Sequence, residues 1–401
     1  MERLGSFSLA LPGETRFGWG CLAELPERLA PFGRCIGVAR GAATEHRDWY
    51  RRLRAQLTET GWSVVELPPQ AREPEPEDVD AAVACLRAAR AQVVVAIGGG
   101  SVIDLGKAAA ALATQDAGIL TRAYLEGVGN GATLQADPLP FIAVPTTAGT
   151  GAEATKNAVL SSSREGFKKS LRDQRMLARL ALVDPQLCEG LPPHLTAASG
   201  LDALTQLIEA YTTLRAQPVT DALALCGIEA ARALPTAVAD GTRRDAREQM
   251  SLAAYLSGVC LANAGLGAAH GIAAALGSVA PIAHGLACAL ALPWVMAANL
   301  PVVEARYAQV TTILTGQSAP ADAAIPYVWQ LLADLGIPRV ADLPLLAPAF
   351  TDEQLPQLAA RCHGNSLQGN PRPLDDDALC GILRAMRDAE APYSAGVGGS
   401  E

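Results

Sequence analysis

Residues 93–110 read VVVAIGGGSVIDLGKAAA. A short, β-branched apolar run enters three glycines and a serine, and an Ala-rich stretch of helical character follows. The run has no polar alternation, so as a strand it is buried on both faces. A buried strand passing through glycines into a helix is the repeating step of a parallel α/β sheet. Four further apolar runs, CIGVA (35–39), SVVEL (63–67), FIAV (141–144) and LALV (180–183), read as strands beside QVVVAI (92–97). Helical stretches at 46–58, 77–90 and 102–113 separate the first of them, and Asp78 marks the cap region of the second helix. This alternation predicts a mainly parallel sheet with helices on both faces.

The pattern changes after Asp184-Pro185. From Leu201 onward the periodicity is helical, with segments expected at 199–213, 218–238, 245–263, 267–276, 285–299, 303–315, 321–335, 352–361 and 376–388, and no strand. Pro192-Pro193 in CEGLPPHLTA (188–197) interrupts the chain between the two regimes. The expected fold class is therefore α/β plus all-α, with an N-terminal parallel-sheet domain over 1–192 and a C-terminal helical domain over 193–401. The small, polar APYSAGVGGSE (391–401) is expected to fray.

Composition narrows the function. The 401 residues carry 32 Lys+Arg and 41 Asp+Glu, a net charge of −9, with 50% hydrophobic and 4% aromatic residues. An acidic chain without a basic block or aromatic platforms is not built for nucleic acid. The opening MERLGSFSLALPGETRFGWG has no apolar stretch of signal-peptide length, and the longest apolar run, Leu286–Leu300, is broken by Pro293. Nine scattered cysteines (21, 35, 85, 188, 226, 260, 288, 362, 380) show no C-x-x-C spacing. They read as free thiols and small core residues of a soluble, cytoplasmic protein, and a Cys-based zinc site is not expected.

Three groups of residues carry chemistry. In the GGGS turn, Gly99, Gly100 and Ser101 open a helix whose first N–H groups suit an anion, although a tight strand-to-helix turn accounts for the glycines equally well. Asp104 and Lys107 lie one helical turn apart and are expected to pair. AVPTTAGTGAEATKNAV (143–159) follows a strand with three hydroxyls, Thr146, Thr147 and Thr150. It reads either as a ligand loop at the C-terminal edge of the sheet or as a hydroxyl-rich cap. Asp202 and Gln206 share a helix face at i, i+4, while His270 and His284 flank a break at Gly277 and Pro281. A straight helix of that length would hold the two imidazoles about 21 Å apart; the break lets them turn toward one point. Two imidazoles, a carboxylate and an amide oxygen suit a divalent transition metal; ordinary helix packing is the alternative for each residue.

Together GGGSVIDLGKA, PTTAGTGAEAT, DPQL, SGLDALTQLIEAY, HGIAAALG, AHGLACALALP and NPRPL, in that order, resemble the iron-containing (group III) alcohol dehydrogenase family. The resemblance implies a dinucleotide-binding α/β domain followed by a helical metal domain, and it implies roles residue by residue. Gly99, Gly100 and Ser101 would lie against the cofactor pyrophosphate. Asp104, Thr146, Thr147 and Thr150 would line the same cofactor, and Lys168 would reach its ribose or phosphate. Asp202, Gln206, His270 and His284 fall on the four metal positions, with Asp202, His270 and His284 as the catalytic set. The cofactors implied are NAD or NADP and a divalent metal, Fe²⁺ or else Zn²⁺.

The chain departs from the family at several places. Gln206 stands where relatives usually carry His, Ala274 where many carry a further His, and Ala152 where a Ser is usual. Arg40, at the end of the first strand, lies near an acidic position of NAD-preferring relatives; a guanidinium there favours NADP, unless it is a surface arginine without a role. The resemblance implies reversible hydride transfer between NAD(P)H and a small aldehyde, ketone or alcohol in a homodimer. The alternatives are a metal-free reductase similar to maleylacetate reductases, and a non-catalytic nucleotide-binding protein with a decayed metal site.

Overall fold

The computed structural model describes residues 6–162 and 164–389, so APYSAGVGGSE lies outside the described residues. The chain divides into two compact units, Met1–Leu191 and Pro192–Glu401.

The first unit is built on a parallel sheet. Its strands are β1 (Thr15–Phe17), β2 (Cys35–Arg40), β3 (Ser63–Glu66), β4 (Val93–Gly98), β5 (Phe141–Pro145) and β8 (Leu180–Val183), in the order β1-β8-β5-β4-β2-β3. All five pairings are parallel. Alternate residues of the apolar strands face opposite sides, as a pleated strand demands. Val93, Val95 and Ile97 of β4 enter one core with Leu25, Leu29, Leu53 and Leu57. These leucines come from helices α1 (Leu25–Leu29) and α2 (Asp48–Glu59). Val94 and Ala96 enter a second core against α3 (Pro76–Ala89) and α4 (Gly100–Leu112). Helices therefore cover both faces.

Two strands and one short edge strand escaped the sequence reading. β6 (Asn157–Ser162) and β7 (Phe167–Arg172) form a separate antiparallel pair. β6 buries every second residue and β7 buries only Leu171, in a stretch rich in Ser, Lys and Arg, which hides them from an apolar-run search. β1 spans only three residues. Asp78 is not itself the cap of α3: the N-cap is Glu75, and Asp78 at N3 accepts from the Glu75 N–H in a capping box.

The expected Asp104–Lys107 pair does not form as a direct contact among the described residues. Lys107 is 1% exposed and its ammonium donates to Ala152 O (2.7 Å), Thr155 Oγ1 (2.8 Å) and Asn157 O (2.8 Å). It thus ties α4 to the segment that follows the threonine loop. Burial pushes its pKa down to about 8. Asp104 instead accepts from the Val159 N–H at 3.1 Å, pinning β6.

The second unit is helical, and no strand is assigned among its described residues. Its helices are α5 (Pro193–Thr212), α6 (Pro218–Ala231), α7 (Leu234–Ala239), α8 (Arg244–Ala264), α9 (Ala268–Val279), α10 (His284–Thr315), α11 (Ala324–Asp334), α12 (Leu355–Arg361) and α13 (Asp376–Asp388). The span expected as one helix at 218–238 is two, separated at Arg232–Ala233. Conversely, the two expected at 285–299 and 303–315 are one 32-residue helix with a kink at Val303, two residues after Pro301. By length and apolar composition α10 is long enough to cross a membrane, contrary to the sequence expectation; 56% of its apolar window is buried inside the fold. Its first half packs in a core with α9, α12 and α13.

Replacing Lys107 by Met should leave the buried carbonyls of Ala152 and Asn157 short of a donor. The expected cost is about 1–3 kcal/mol, seen as a lowered urea midpoint. An unchanged midpoint would mean that the tether contributes nothing net.

Candidate functional site

In the helical unit, the first residues of two helices meet one face of a third. α5 carries Asp202, Gln206 and Glu209 at i, i+4 and i+7, a single stripe. α9 begins at Ala268, which puts His270 in its first turn, and α10 begins with His284. The break at Ala280–Ala283 turns the chain back, and the two imidazole centroids lie 5.5 Å apart. Gly285 permits this approach: a Cβ there would stand 2.1 Å from Ala198 O and 3.2 Å from Asp202 Cβ. Any larger residue would push His284 away from α5.

The donor atoms of Asp202, His270, His284 and Cys288 all lie within 4.8 Å of one another. Asp202, His270 and Cys288 are buried, and His284 is half-buried. Asp202 Oδ1 and His270 Nε2 stand 3.3 Å apart, yet both are buried without a hydrogen-bond partner. Burying such atoms unsatisfied costs about 1–3 kcal/mol each. A cation among them recovers that cost, so these residues fit a divalent metal.

Glu209 supports the cluster from behind. Its Oε1 accepts from the Ala269 N–H (2.6 Å) and its Oε2 meets His270 Nδ1 (2.6 Å). With Nδ1–H donated to the carboxylate, Nε2 is the ring atom that faces the cluster, and a metal taking the place of its proton would use its lone pair, as in carboxylate–histidine–metal triads. A carboxylate at the first N–H groups of α9 also suits the helix dipole. Asn370, from the NPRPL stretch, accepts from the neighbouring Ala268 N–H (3.1 Å) and pairs its amide with Asn299 (2.9 and 2.8 Å). Sequence reading quoted NPRPL without a role; its asparagine fixes the start of the helix that bears His270.

Electrostatics follow the geometry. Burial would raise the Asp202 pKa, but the His270 and His284 imidazoles and the Gln206 amide hold it at about 2. Gln206 thus serves as a hydrogen-bond donor to Asp202. Burial works against the charged imidazole of His270, yet Cys288, Glu209 and Asp202 around it hold its pKa well above the ordinary value.

Sequence reading missed Glu209 and Cys288. The signal for Glu209 was its helical spacing of seven from Asp202. Cys288 lies four residues after His284, on the same face of α10, and its Sγ is 3.7 Å from His284 Nε2. Reading it as an ordinary core cysteine overlooked that spacing.

In the first unit, the two loops expected to meet a nucleotide adjoin each other at the C-terminal ends of β4 and β5. Thr146 N–H donates to Gly98 O (3.0 Å). A Cβ on Gly100 would lie 2.7 Å from Thr150 Oγ1, and one on Gly99 would lie 3.4 Å from Thr147. Gly99 is the N-cap of α4 and brings no side chain to its first N–H groups. Together with Ser101 the turn therefore presents backbone donors at a helix start. This is where the strand order reverses, with β2 on one side of β4 and β5 on the other.

The remaining expected cofactor residues are engaged within the fold. Asp104 faces Val159, as above. Lys168, part-buried on β7, forms an ion pair with Glu73, while Lys169 is exposed. Arg40 is 8% exposed. It donates to Glu66 Oε2 and Glu45 Oε2, both at 2.8 Å, and Tyr50 Oη donates to Glu66 Oε1 at 2.7 Å. Its guanidinium is neither a surface group nor an uncommitted one.

Glu209→Gln should keep one hydrogen bond but remove the charge that fixes the His270 tautomer. The expected loss is about ten- to a hundredfold in divalent-metal affinity, measured by titration of the metal-free protein. Unchanged affinity would rule out the supporting role.

Comparison with known proteins agrees with this arrangement. Residues 12–185 match the iron-containing alcohol dehydrogenase family, and residues 196–387 match the C-terminal domain of the Fe-containing alcohol dehydrogenase family. The chain is 37% identical over 337 residues to the probable alcohol dehydrogenase EutG of Escherichia coli strain K12, covering 84% of this chain and 83% of that one. A solved 1,3-propanediol oxidoreductase is similar with a TM-score of 0.88 and 31% identity, covering 95% of this chain and all (100%) of that one. A sulfoacetaldehyde reductase from Bifidobacterium kashiwanohense, solved in complex with NAD⁺, is similar with a TM-score of 0.87 and 28% identity, covering 96% and 100%. The chain belongs to the iron-containing alcohol dehydrogenase family, oxidoreductases that pass a hydride between a nicotinamide dinucleotide and a small alcohol or aldehyde.

Proposed function

We propose that this chain is an NAD-preferring reductase of short aldehydes and ketones, working reversibly on the corresponding alcohols. Residues 1–192 bind the nucleotide and residues 193–401 hold the metal. The observation that carries the proposal is the convergence of Asp202, His270 and His284 donor atoms within 4.8 Å, two of the atoms buried without a hydrogen bond.

When bound, the metal supplies a Lewis acid for the substrate oxygen and the nicotinamide supplies the hydride. The chain's own residues do the rest. Asp202, His270 and His284 hold the ion, and Glu209 fixes the His270 tautomer. Gln206 orients Asp202 through its amide. The Gly99–Ser101 turn offers backbone N–H groups to the pyrophosphate, and Thr146, Thr147 and Thr150 border that turn. Burial of Asp202, His270 and Cys288 keeps bulk water from the donor atoms that would hold the ion. Ala274, one helical turn after His270, carries no proton-transferring group.

Arg40 changes the cofactor preference read from sequence. Its positive charge is matched by two carboxylates, Glu45 and Glu66. Arg54 also pairs with Glu66 (3.5 Å), so the cluster balances its own charge and a 2′-phosphate would meet a guanidinium already committed to carboxylates, which supports NAD over NADP. The nine free cysteines support a reducing compartment. We place the protein in the cytoplasm as a homodimer without nucleic-acid or membrane partners, to be checked by sedimentation of the purified protein.

His270→Ala and His284→Ala should each lower aldehyde reduction about a hundredfold or more, and exhaustive chelation should do the same to the parent protein. Full turnover after chelation would overturn the metal-dependent reading in favour of a metal-free reductase. With the same aldehydes, kcat/KM should favour NADH over NADPH by about tenfold or more, and Glu66→Gln should narrow the ratio. An equal or reversed ratio would return Arg40 to a phosphate-binding role.

A further inference from the structure

We propose that Cys288 is a metal ligand, so that the ion is held by one carboxylate, two imidazoles and one thiolate. This rests on the metal-dependent reading above and deepens it, because a sulfur donor decides which metal the site prefers.

The geometry is the argument. Cys288 Sγ belongs to the same set of donor atoms, all within 4.8 Å, as Asp202, His270 and His284. It stands 3.7 Å from His284 Nε2, a separation natural for two ligands of one ion with bonds of about 2.0–2.3 Å. Cys288 is fully buried, at 0% exposure, on the face of α10 that also carries His284. The ligand-seeking atoms are independent of the cysteine: Asp202 Oδ1 and His270 Nε2 are nine-tenths or more buried and lack hydrogen-bond partners. Four donors from three helices enclose one point.

Gln206 is the competing fourth donor, and the weaker one. Its N–H is used toward Asp202, and the oxygen it would offer an ion is neutral. A thiolate is charged and polarizable. On binding, the Cys288 S–H bond breaks, a metal–sulfur bond forms, and the proton leaves to solvent; no oxidation state changes. Thiolate with imidazole favours Zn²⁺ or Co²⁺ in near-tetrahedral geometry over Fe²⁺, on both ligand softness and the general order of divalent affinities. A sulfur donor at this position therefore tunes the site toward zinc.

The test is titration of Co²⁺ into the metal-free, full-length protein, followed by absorbance. The parent should show one equivalent bound with visible d–d bands and a near-ultraviolet sulfur-to-cobalt charge-transfer band. Cys288→Ala and Cys288→Ser should bind Co²⁺ without the charge-transfer band, with Zn²⁺ affinity lowered at least about tenfold and the preference for Zn²⁺ over Fe²⁺ narrowed. Circular dichroism establishes that both variants are folded. Cobalt binding without a charge-transfer band in the parent, or a band that persists in both variants, overturns the role of Cys288 while leaving the metal site intact. Absence of any Co²⁺ binding in the parent overturns both.

Discussion

The helical unit is organised around a buried chain of polar contacts: Glu209 to His270 to the space shared with Asp202. Burial removes these groups from water, and only part of what they lose is returned by protein partners. Glu209 is satisfied by Ala269 N–H and His270 Nδ1 at 2.6 Å each. The inward atoms, Asp202 Oδ1 and His270 Nε2, are not. A carboxylate and an imidazole held without hydrogen-bond partners are costly, and a cation shared between them lowers that cost. The rest of the unit follows from keeping that arrangement fixed. Gly285 lets α10 approach α5, the Asn370–Asn299 amide pair holds the start of α9, and the break before His284 folds the second imidazole back on the first.

The α/β unit solves a different problem with different means. It has few charged groups to spare near its loops, and presents backbone instead. Gly100 packs against Thr150, so the strand-to-helix turn after β4 and the threonine loop after β5 form one surface at the reversal of strand order. Lys107 anchors the far side of that loop with three hydrogen bonds and Asp104 anchors β6. Residues that looked like ligand contacts from sequence, Asp104 and Lys168, are thus partly the frame that holds the loops in place.

Much of the fold was legible because burial on both sheet faces leaves a continuous apolar signal. VVVAI, FIAV and LALV announce themselves; NAVLSS and FKKSLR do not, because β6 and β7 are paired only with each other and keep polar residues on their open side. Helix ends were less legible than helix existence. Pro301 was read as a divider, yet α10 absorbs it with a local kink at Val303 and continues. At the metal cluster, the spacing of Asp202, Gln206, His270 and His284 told which residues meet. Glu209 and Cys288 were hidden because an acid within an amphipathic helix and a cysteine in an Ala-rich one have ordinary structural explanations. Arg40 shows the converse limit: its residue type argued for a phosphate, while the structure commits its guanidinium to Glu45 and Glu66, a pairing that residue type alone does not announce.

The central claim, that a divalent ion sits among Asp202, His270 and His284, is tested most directly by anomalous diffraction from crystals of protein purified without chelator. Data collected on both sides of the iron and zinc absorption edges should show a single anomalous peak within about 2.0–2.3 Å of Asp202 Oδ1, His270 Nε2 and a His284 ring nitrogen. No peak at that position, with Asp202 and His270 instead joined by a direct hydrogen bond, would contradict it.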